Sequence, residues 1–300
     1  MADLLFGLDL PAAVSPGYDP VASALRAEGL GYDFVSTSDH PCGDQPTNET
    51  WTMLSWVAAR TSRIRIATRV LGVPYRAPAM VAKMAETLDR LSGGRLILGL
   101  GGGYSDEEFR AFGLDVPTPR EKVDGLSETI QIAHGLWSTP RFSLDGRRYR
   151  VREADLEPKP PRPIPVWLGT YGNRALSLTG AAADGWIPSL GSAAPERIPA
   201  MRERILAAAA QTGRPADALT CVYNLGIRVD GRASTDPSLL SGSAERLAER
   251  LVEFVELGFT GFNFQPAGPD RDEQVDRIAH EVIPLVRQAV AGRPARGGVD

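Results

Sequence analysis

PAMVAKMAETLDRLSGGRLILGLGGGY, residues 78–104, is the stretch whose reading decides the fold. Over 78–92, Met80, Val81, Met84, Leu88 and Leu91 fall on one helical stripe, while Lys83, Glu86 and Arg90 lie off it. That is the 3.6-residue period of an amphipathic helix. Gly93–Gly94 supplies the stop. LILGL (96–100) is then apolar at successive positions, as expected of a strand buried on both faces. The glycine run Gly101–Gly103 and Tyr104 follow at its C-terminal end. A helix, a stop, a buried strand and a glycine turn make one unit of an α/β fold with a parallel sheet.

The same unit recurs along the chain. Short apolar runs lie at about 4–10, 32–38, 64–71, 95–101, 164–169, 183–188, 219–228 and 259–264, the eight strands that a closed barrel needs. Residues 244–257 repeat the amphipathic pattern, with Leu247, Leu251, Phe254 and Val255 inward and Gly258 as the stop. One segment, 138–163, breaks the period. FSLDGRRYRV (142–151) alternates around Asp145–Gly146, a two-residue hairpin signal, and EPKPPRPIP then forces an extended chain. The expectation is a (β/α)8 TIM barrel with an inserted β-hairpin before strand five, folded as one domain over 1–300.

Composition bounds the function. With 43% hydrophobic and 23% charged residues and a net charge of −4, the chain reads as globular. It has no basic block and no apolar run of about 18 residues, so nucleic-acid and membrane partners are not expected. The N-terminus lacks a cationic leader, and two cysteines make no disulfide framework, so a cytoplasmic location is expected. H-x-H, H-E-x-x-H, paired cysteines, a P-loop and a Gly-x-Ser-x-Gly elbow are all absent from the sequence, which argues against a metal site, a phosphotransferase or a hydrolase.

In a barrel, the residues just after each strand line the active-site mouth. Those positions hold Ser38–Asp39–His40–Pro41, Thr68–Arg69–Val70–Leu71, Gly101–Gly102–Gly103–Tyr104 and Gly169–Thr170–Tyr171–Gly172–Asn173. His40 is one of three histidines and the candidate for proton chemistry, since imidazole gives or takes a proton near neutral pH. An Asx-type turn carrying an exposed histidine is the plainer reading. His134 and His280 fall inside helices and read as structural. GTYGNR (169–174) is either an ordinary βα turn or a phosphate seat at a helix N-terminus. The run 101–103 fails the dinucleotide fingerprint, because Tyr104 stands where a glycine is required; it would let a flat ring approach the backbone.

Five blocks in order carry a resemblance: AEGLGYDFVSTSDH (27–40), ARTSRIRIATRVLGVPYRAP (59–78), KMAETLDRLSGGRLILGLGGGYSDEEFRAFG (83–113), EPKPPRPIPVWLGTYG (157–172) and GAAADGWIP (180–188). Together they resemble the luciferase-like monooxygenase superfamily, and most of all its branch that uses coenzyme F420, a 5-deazaflavin. The resemblance implies hydride transfer between reduced deazaflavin and a C=C, C=N or C=O group of a small-molecule substrate, in a homodimer; a reduced-FMN monooxygenase is the alternative. It implies a ring held against a bulge at the end of strand three, with a non-prolyl cis peptide at Arg69–Val70. Asp39, Thr68 and Gly101–Gly103 would contact the ring, and the backbone of Gly169, Thr170, Tyr171, Gly172 and Asn173 the phosphate. His40 and Tyr104 would be the catalytic donors. Sugar-phosphate dehydrogenases of this branch carry a glutamate where Tyr104 stands, so the resemblance points away from sugar-phosphate oxidation.

Overall fold

The computed structural model of the chain describes residues 4–230, 232 and 234–291; the ends of the expected 1–300 span lie outside them. Eight parallel strands close a barrel. They are β1 (Leu5–Asp9), β2 (Phe34–Thr37), β3 (Arg65–Thr68), β4 (Leu96–Gly101), β5 (Val166–Leu168), β6 (Gly185–Trp186), β7 (Thr220–Val229) and β8 (Gly261–Pro266). Each pairs with its neighbour in sequence, and β8 with β1 closes the ring through Leu5↔Gly261 to Leu8↔Phe264. All eight apolar runs are therefore strands, and the TIM barrel read from them stands.

Helices cover the outside, among them α1 (Pro20–Gly29), α2 (Thr50–Arg60), α3 (Pro78–Leu91), α4 (Pro119–Ser138), α5 (Asn173–Ala182) and α6 (Ile198–Gln211). Their starts are chemically marked. Asp19 accepts from the Val21 N–H ahead of Pro20 at the first turn of α1, and Thr118 with Glu121 makes a full capping box on α4, which satisfies N–H groups that a helix start otherwise leaves unpaired. Among the described residues no helix is long and apolar enough to cross a membrane.

Side chains alternate in and out along each barrel strand, and the inward ones grade in polarity. Phe34 and Trp167 meet edge to face inside the barrel (5.5 Å between centroids, 90°), with Ala67, Ile97 and Val222 in the same apolar cluster. Two positions further along their strands the filling turns polar. Ser36 donates to Asn263 (2.9 Å), Asn263 to Asn224 (2.8 Å), and Asn224 to Ser189 (2.9 Å). Beyond that layer come Asp9, Ser38, Arg69 and Gln265 at the C-terminal mouth. Each buried polar group in this chain of bonds has a partner, as a low-dielectric interior requires.

Two sequence expectations are corrected. On α3, Met80 and Leu91 are exposed (56% and 75%), while Glu86 is buried with Val81, Ala82, Ala85, Leu88 and Asp89. Small alanines let the helix lie close to its neighbours, and Glu86 enters because Lys83, Thr87 and Arg90 all bond its carboxylate. The inserted hairpin exists, with Phe142–Asp145 antiparallel to Arg150–Ala154. Its turn, however, is the four residues 146–149 and not Asp145–Gly146. The buried carboxylate of Glu128 on α4 accepts the N–H groups of Arg147, Arg148 and Tyr149 (2.7, 3.0 and 2.8 Å), and three charge-assisted bonds outweigh a local turn preference.

Candidate active site

The chain does not run straight from β3 into its helix. After Thr68 the peptide Arg69–Val70 is cis, as the resemblance implied, and the backbone returns to pair Leu71–Gly72 with the end of β4. The step-out is the bulge expected at the end of strand three. The Val70 side chain points at the β4 glycines: an added Cβ on Gly101 would lie 2.6 Å from Val70 Cγ2, so only glycine fits there. Gly103 is held at φ +89, the left-handed region that side chains avoid. The glycine run thus first serves the protein's own backbone.

Between the bulge, Gly101–Gly103, Gly169 and the loop after β6 lies a cavity of about 390 Å³. Asp39, His40, Arg69, Val70, Tyr104 and Tyr171 line it together with Gly101, Gly102, Gly103 and Gly169. Most of the residues nominated from the sequence therefore converge on one space. Four do not line it. Thr68 Oγ1 exchanges bonds with Gly99 (2.7 and 2.8 Å), and Thr170 bonds Thr179 (2.7 Å) on α5. Gly172 and Asn173 form the start of α5, which has no side-chain cap, so its first N–H groups remain available at the mouth. Tyr75 also lines the cavity, while the Trp51 and Trp186 rings lie in the core.

Asp39 is buried, and its carboxylate is already engaged. It accepts the Gly72 N–H (2.9 Å) and both terminal nitrogens of Arg76 (2.7 and 3.0 Å). Arg76 also binds Glu49, which caps α2. Burial works against the Arg76 charge, but the two carboxylates outweigh it and its pKa rises. Asp39 thus ties the β2 end to the far side of the bulge.

His40 sits half-exposed beside it, its Nδ1 2.8 Å from Glu108 Oε1. Tyr75 donates to the other oxygen of Glu108 (2.5 Å); burial first, and then this carboxylate, hold the Tyr75 hydroxyl well above its usual pKa. Tyr104 is 88% exposed, edge-on to His40 at 6.3 Å. On the opposite wall Arg69 pairs with Asp9 at the end of β1 (2.8 Å). Gln265, in the amide orientation that satisfies both groups, accepts from the same guanidinium (3.1 and 3.3 Å). The Nε of Arg69 is buried without a protein partner. Among the described residues no cluster of three or more His, Cys, Asp or Glu could hold a metal.

The sequence pattern does not single out Asp9, Arg76 or Glu108. Arg76 stood inside a quoted block, two residues after Pro74, yet only its long-range pairing with Asp39 gives it a role. Glu108 is one of three consecutive acids that the sequence alone does not tell apart.

The luciferase-like monooxygenase family profile matches residues 12–234. The chain belongs to this family. It is 29% identical to the F420-dependent glucose-6-phosphate dehydrogenase of Kineococcus radiotolerans over 88% of this chain and 91% of that protein. Among solved structures it superposes on an F420-dependent secondary alcohol dehydrogenase bound to an F420–acetone adduct (TM-score 0.85, 20% identity, 95% of this chain and 99% of that one). It also superposes on the F420-dependent tetrahydromethanopterin reductase of Methanopyrus kandleri (TM-score 0.81, 19% identity, 94% and 99%). At those identities the two structures speak for the shared barrel.

Proposed function

We propose that the protein is an oxidoreductase that binds coenzyme F420 at the barrel mouth and exchanges a hydride with a C=C, C=N or C=O carbon of a small organic molecule. The observation that carries this is the convergence of the Arg69–Val70 bulge, the Gly101–Gly103 turn and His40 on one cavity, in a chain whose relative over most of its length is an F420-dependent dehydrogenase. When bound, the deazaflavin supplies hydride chemistry at its 5-carbon.

The residues present fit such a group. Val70 and the backbone of Gly101–Gly103 line the cavity together, and Val70, Lys122 and Phe109 fill the places that side chains on those glycines would take. The uncapped start of α5 offers N–H groups and a positive dipole end to a phosphate. Arg69 Nε is a buried donor in want of an acceptor. His40 stands at the rim as the proton donor or acceptor, with the Tyr104 hydroxyl as a second donor. Arg69 is the one Lys or Arg among the lining residues, and Asp9 neutralises it; this favours an uncharged acceptor over a phosphorylated sugar. The protein acts as a homodimer in this reading, supported by the groove between α2 and α3 that Trp51, Met84, Leu88 and the exposed Leu91 line, since an exposed apolar patch marks an interface; Trp56 and Met80 on the same two helices are exposed as well (60% and 56%).

Titration with F420 and with FMN, followed by single-turnover oxidation of reduced F420 against a panel of carbonyl, imine and enone acceptors, tests the proposal. Binding of F420 in preference to FMN, with oxygen-independent turnover, is expected. A chain that neither binds nor oxidises reduced F420 refutes it. His40→Ala should lower turnover far more than F420 affinity.

A further inference from the structure

We propose that Glu108 is the positioning residue of His40: its carboxylate fixes the proton on Nδ1 and leaves Nε2 as the only ring atom that gives or takes a proton. The proposal rests on the reading of His40 as the proton donor.

The local sequence around Glu108 makes its side-chain direction informative. Ser105 caps the short helix Asp106–Ala111 and accepts the Glu108 N–H (3.3 Å). Glutamate three residues after a serine cap ordinarily folds back onto the backbone N–H of the cap. The same chain shows the complete arrangement on α4, where Glu121 accepts the Thr118 N–H (2.8 Å) while Thr118 accepts the Glu121 N–H (3.3 Å). At Glu108 only the serine half is made. The carboxylate reaches away from its own helix instead, with one oxygen 2.8 Å from His40 Nδ1 and the other accepting from Tyr75 (2.5 Å). Its side chain is 14% exposed, against 46% for Asp106, which pairs with Lys122. Of the three first-turn acids Asp106, Glu107 and Glu108, one has given up its cap and faces the mouth.

Proton accounting then sets the state of His40. Tyr75 donates to Oε2, so the Glu108 carboxylate takes a second donor at Oε1, and the nitrogen facing it carries the hydrogen. With Nδ1–H held, neutral His40 presents a bare Nε2, and cationic His40 an Nε2–H. On reduction, the heteroatom of a C=O or C=N acceptor, or the second carbon of a C=C, would take its proton from Nε2 as the acceptor carbon took the hydride that reduced F420 would supply and the π pair moved to the atom being protonated; oxidation would run the same transfers backwards. Nδ1 keeps its hydrogen throughout. Tyr75, held on the turn just after the bulge, anchors the second oxygen so that the carboxylate cannot rotate away.

Long-range proton–nitrogen correlation on the ¹⁵N-labelled chain, recorded near pH 8.5 where ordinary imidazoles are about 99% neutral, reads the tautomer of each of the three histidines. His40→Gln assigns its signal. The parent should show His40 as the Nδ1–H tautomer. Glu108→Ala should convert it to Nε2–H with His134 and His280 unmoved, and Glu108→Gln, whose amide oxygen still accepts, should restore Nδ1–H. In turnover, Glu108→Ala should lower kcat at least about tenfold with F420 affinity held within about threefold. An Nε2–H tautomer in the parent, or a Glu108→Ala spectrum identical to it, overturns the proposal. The parent spectrum needs no added cofactor, and His40→Gln serves only to assign its signal, so the tautomer it shows tests Glu108 separately from any failure of the chain to bind F420.

Discussion

Gly101→Ala tests the cofactor wall through a single methyl group. The new Cβ would lie 2.6 Å from Val70 Cγ2, whereas carbon atoms in contact prefer about 3.5–4.0 Å. Val70 must therefore retreat by about 1 Å. It has little room on the other side, where Gly169 stands so near that a Cβ there would be 3.2 Å from the same methyl. Overpacking of this kind costs about 1–3 kcal/mol. If the displacement is taken up by the face that meets the deazaflavin, F420 affinity falls about 5- to 150-fold; if the wall resists, the same energy is lost from folding.

Two measurements capture both routes: fluorescence titration with F420, and urea unfolding of the free chain. The double variant Val70→Ala, Gly101→Ala removes the Cγ2 methyl that is struck, so it should recover most of whichever quantity the single variant loses. That coupling should be about 1–2 kcal/mol, well beyond the scatter of about 0.3–0.5 kcal/mol seen for independent sites. Parental affinity together with parental stability in Gly101→Ala, or strict additivity in the double variant, would refute the claim that Val70 packed on Gly101 forms the wall.

Three further outcomes are expected. Arg76→Gln leaves the buried carboxylate of Asp39 without its bidentate partner and should destabilise the chain by about 3–5 kcal/mol in urea unfolding; a loss below about 1 kcal/mol would mean that water replaces the guanidinium. Glu28 accepts the N–H groups of Ser62, Arg63 and Ile64, and although burial opposes it, these bonds lower its pKa from 4.5 to about 2. A lowered carboxyl pKa stabilises the fold above the unfolded value and loses that contribution as pH falls through the folded one. Glu28→Gln should thus be less stable than the parent at pH 7, with the gap narrowing from pH 4.5 towards 2, and a pH-independent gap would contradict this. Light scattering should return a dimer for the parent and a monomer for Trp56→Glu, which replaces the exposed ring of α2 by a charge; a dimer in both places the interface elsewhere.

The barrel was legible because its signal is periodic and local. Each strand is an apolar run, each helix a stripe, and the mouth positions follow from knowing where strands end. What escaped was pairing at a distance. Arg76 and Asp39 are separated by 37 residues, and Glu108 and His40 by 68, and nothing in composition links them. The hairpin turn failed for the same reason, since Glu128 reaches Arg147 from 19 residues away and overrides the preference of Asp145–Gly146. The α3 stripe failed in the opposite direction. Met80 and Leu91 fit the helical period but face outward, because the buried surface is set by how closely Ala82 and Ala85 let the helix approach, and small residues weigh little in a hydrophobic pattern.

These pairings say something about how such a mouth is built. Three carboxylates are paired with groups at the cavity, each with a different partner: Asp9 with Arg69, Asp39 with Arg76, and Glu108 with His40 and Tyr75. A buried charge without a partner is costly, so the fold fixes these groups before any ligand arrives. Groups fixed in advance need not reorganise when charge develops during reaction, which is where an enzyme site gains over water. Within this frame the atoms left for a ligand are few and specific: a buried Arg69 Nε that lacks an acceptor, the uncapped N–H groups that open α5, and Nε2 of His40, opposite the nitrogen that Glu108 holds. In the proposed reading two of these would anchor the cofactor and the third would move a proton. The division follows from the partners each group already has, which is why the network around His40, more than the histidine itself, governs what this mouth can do.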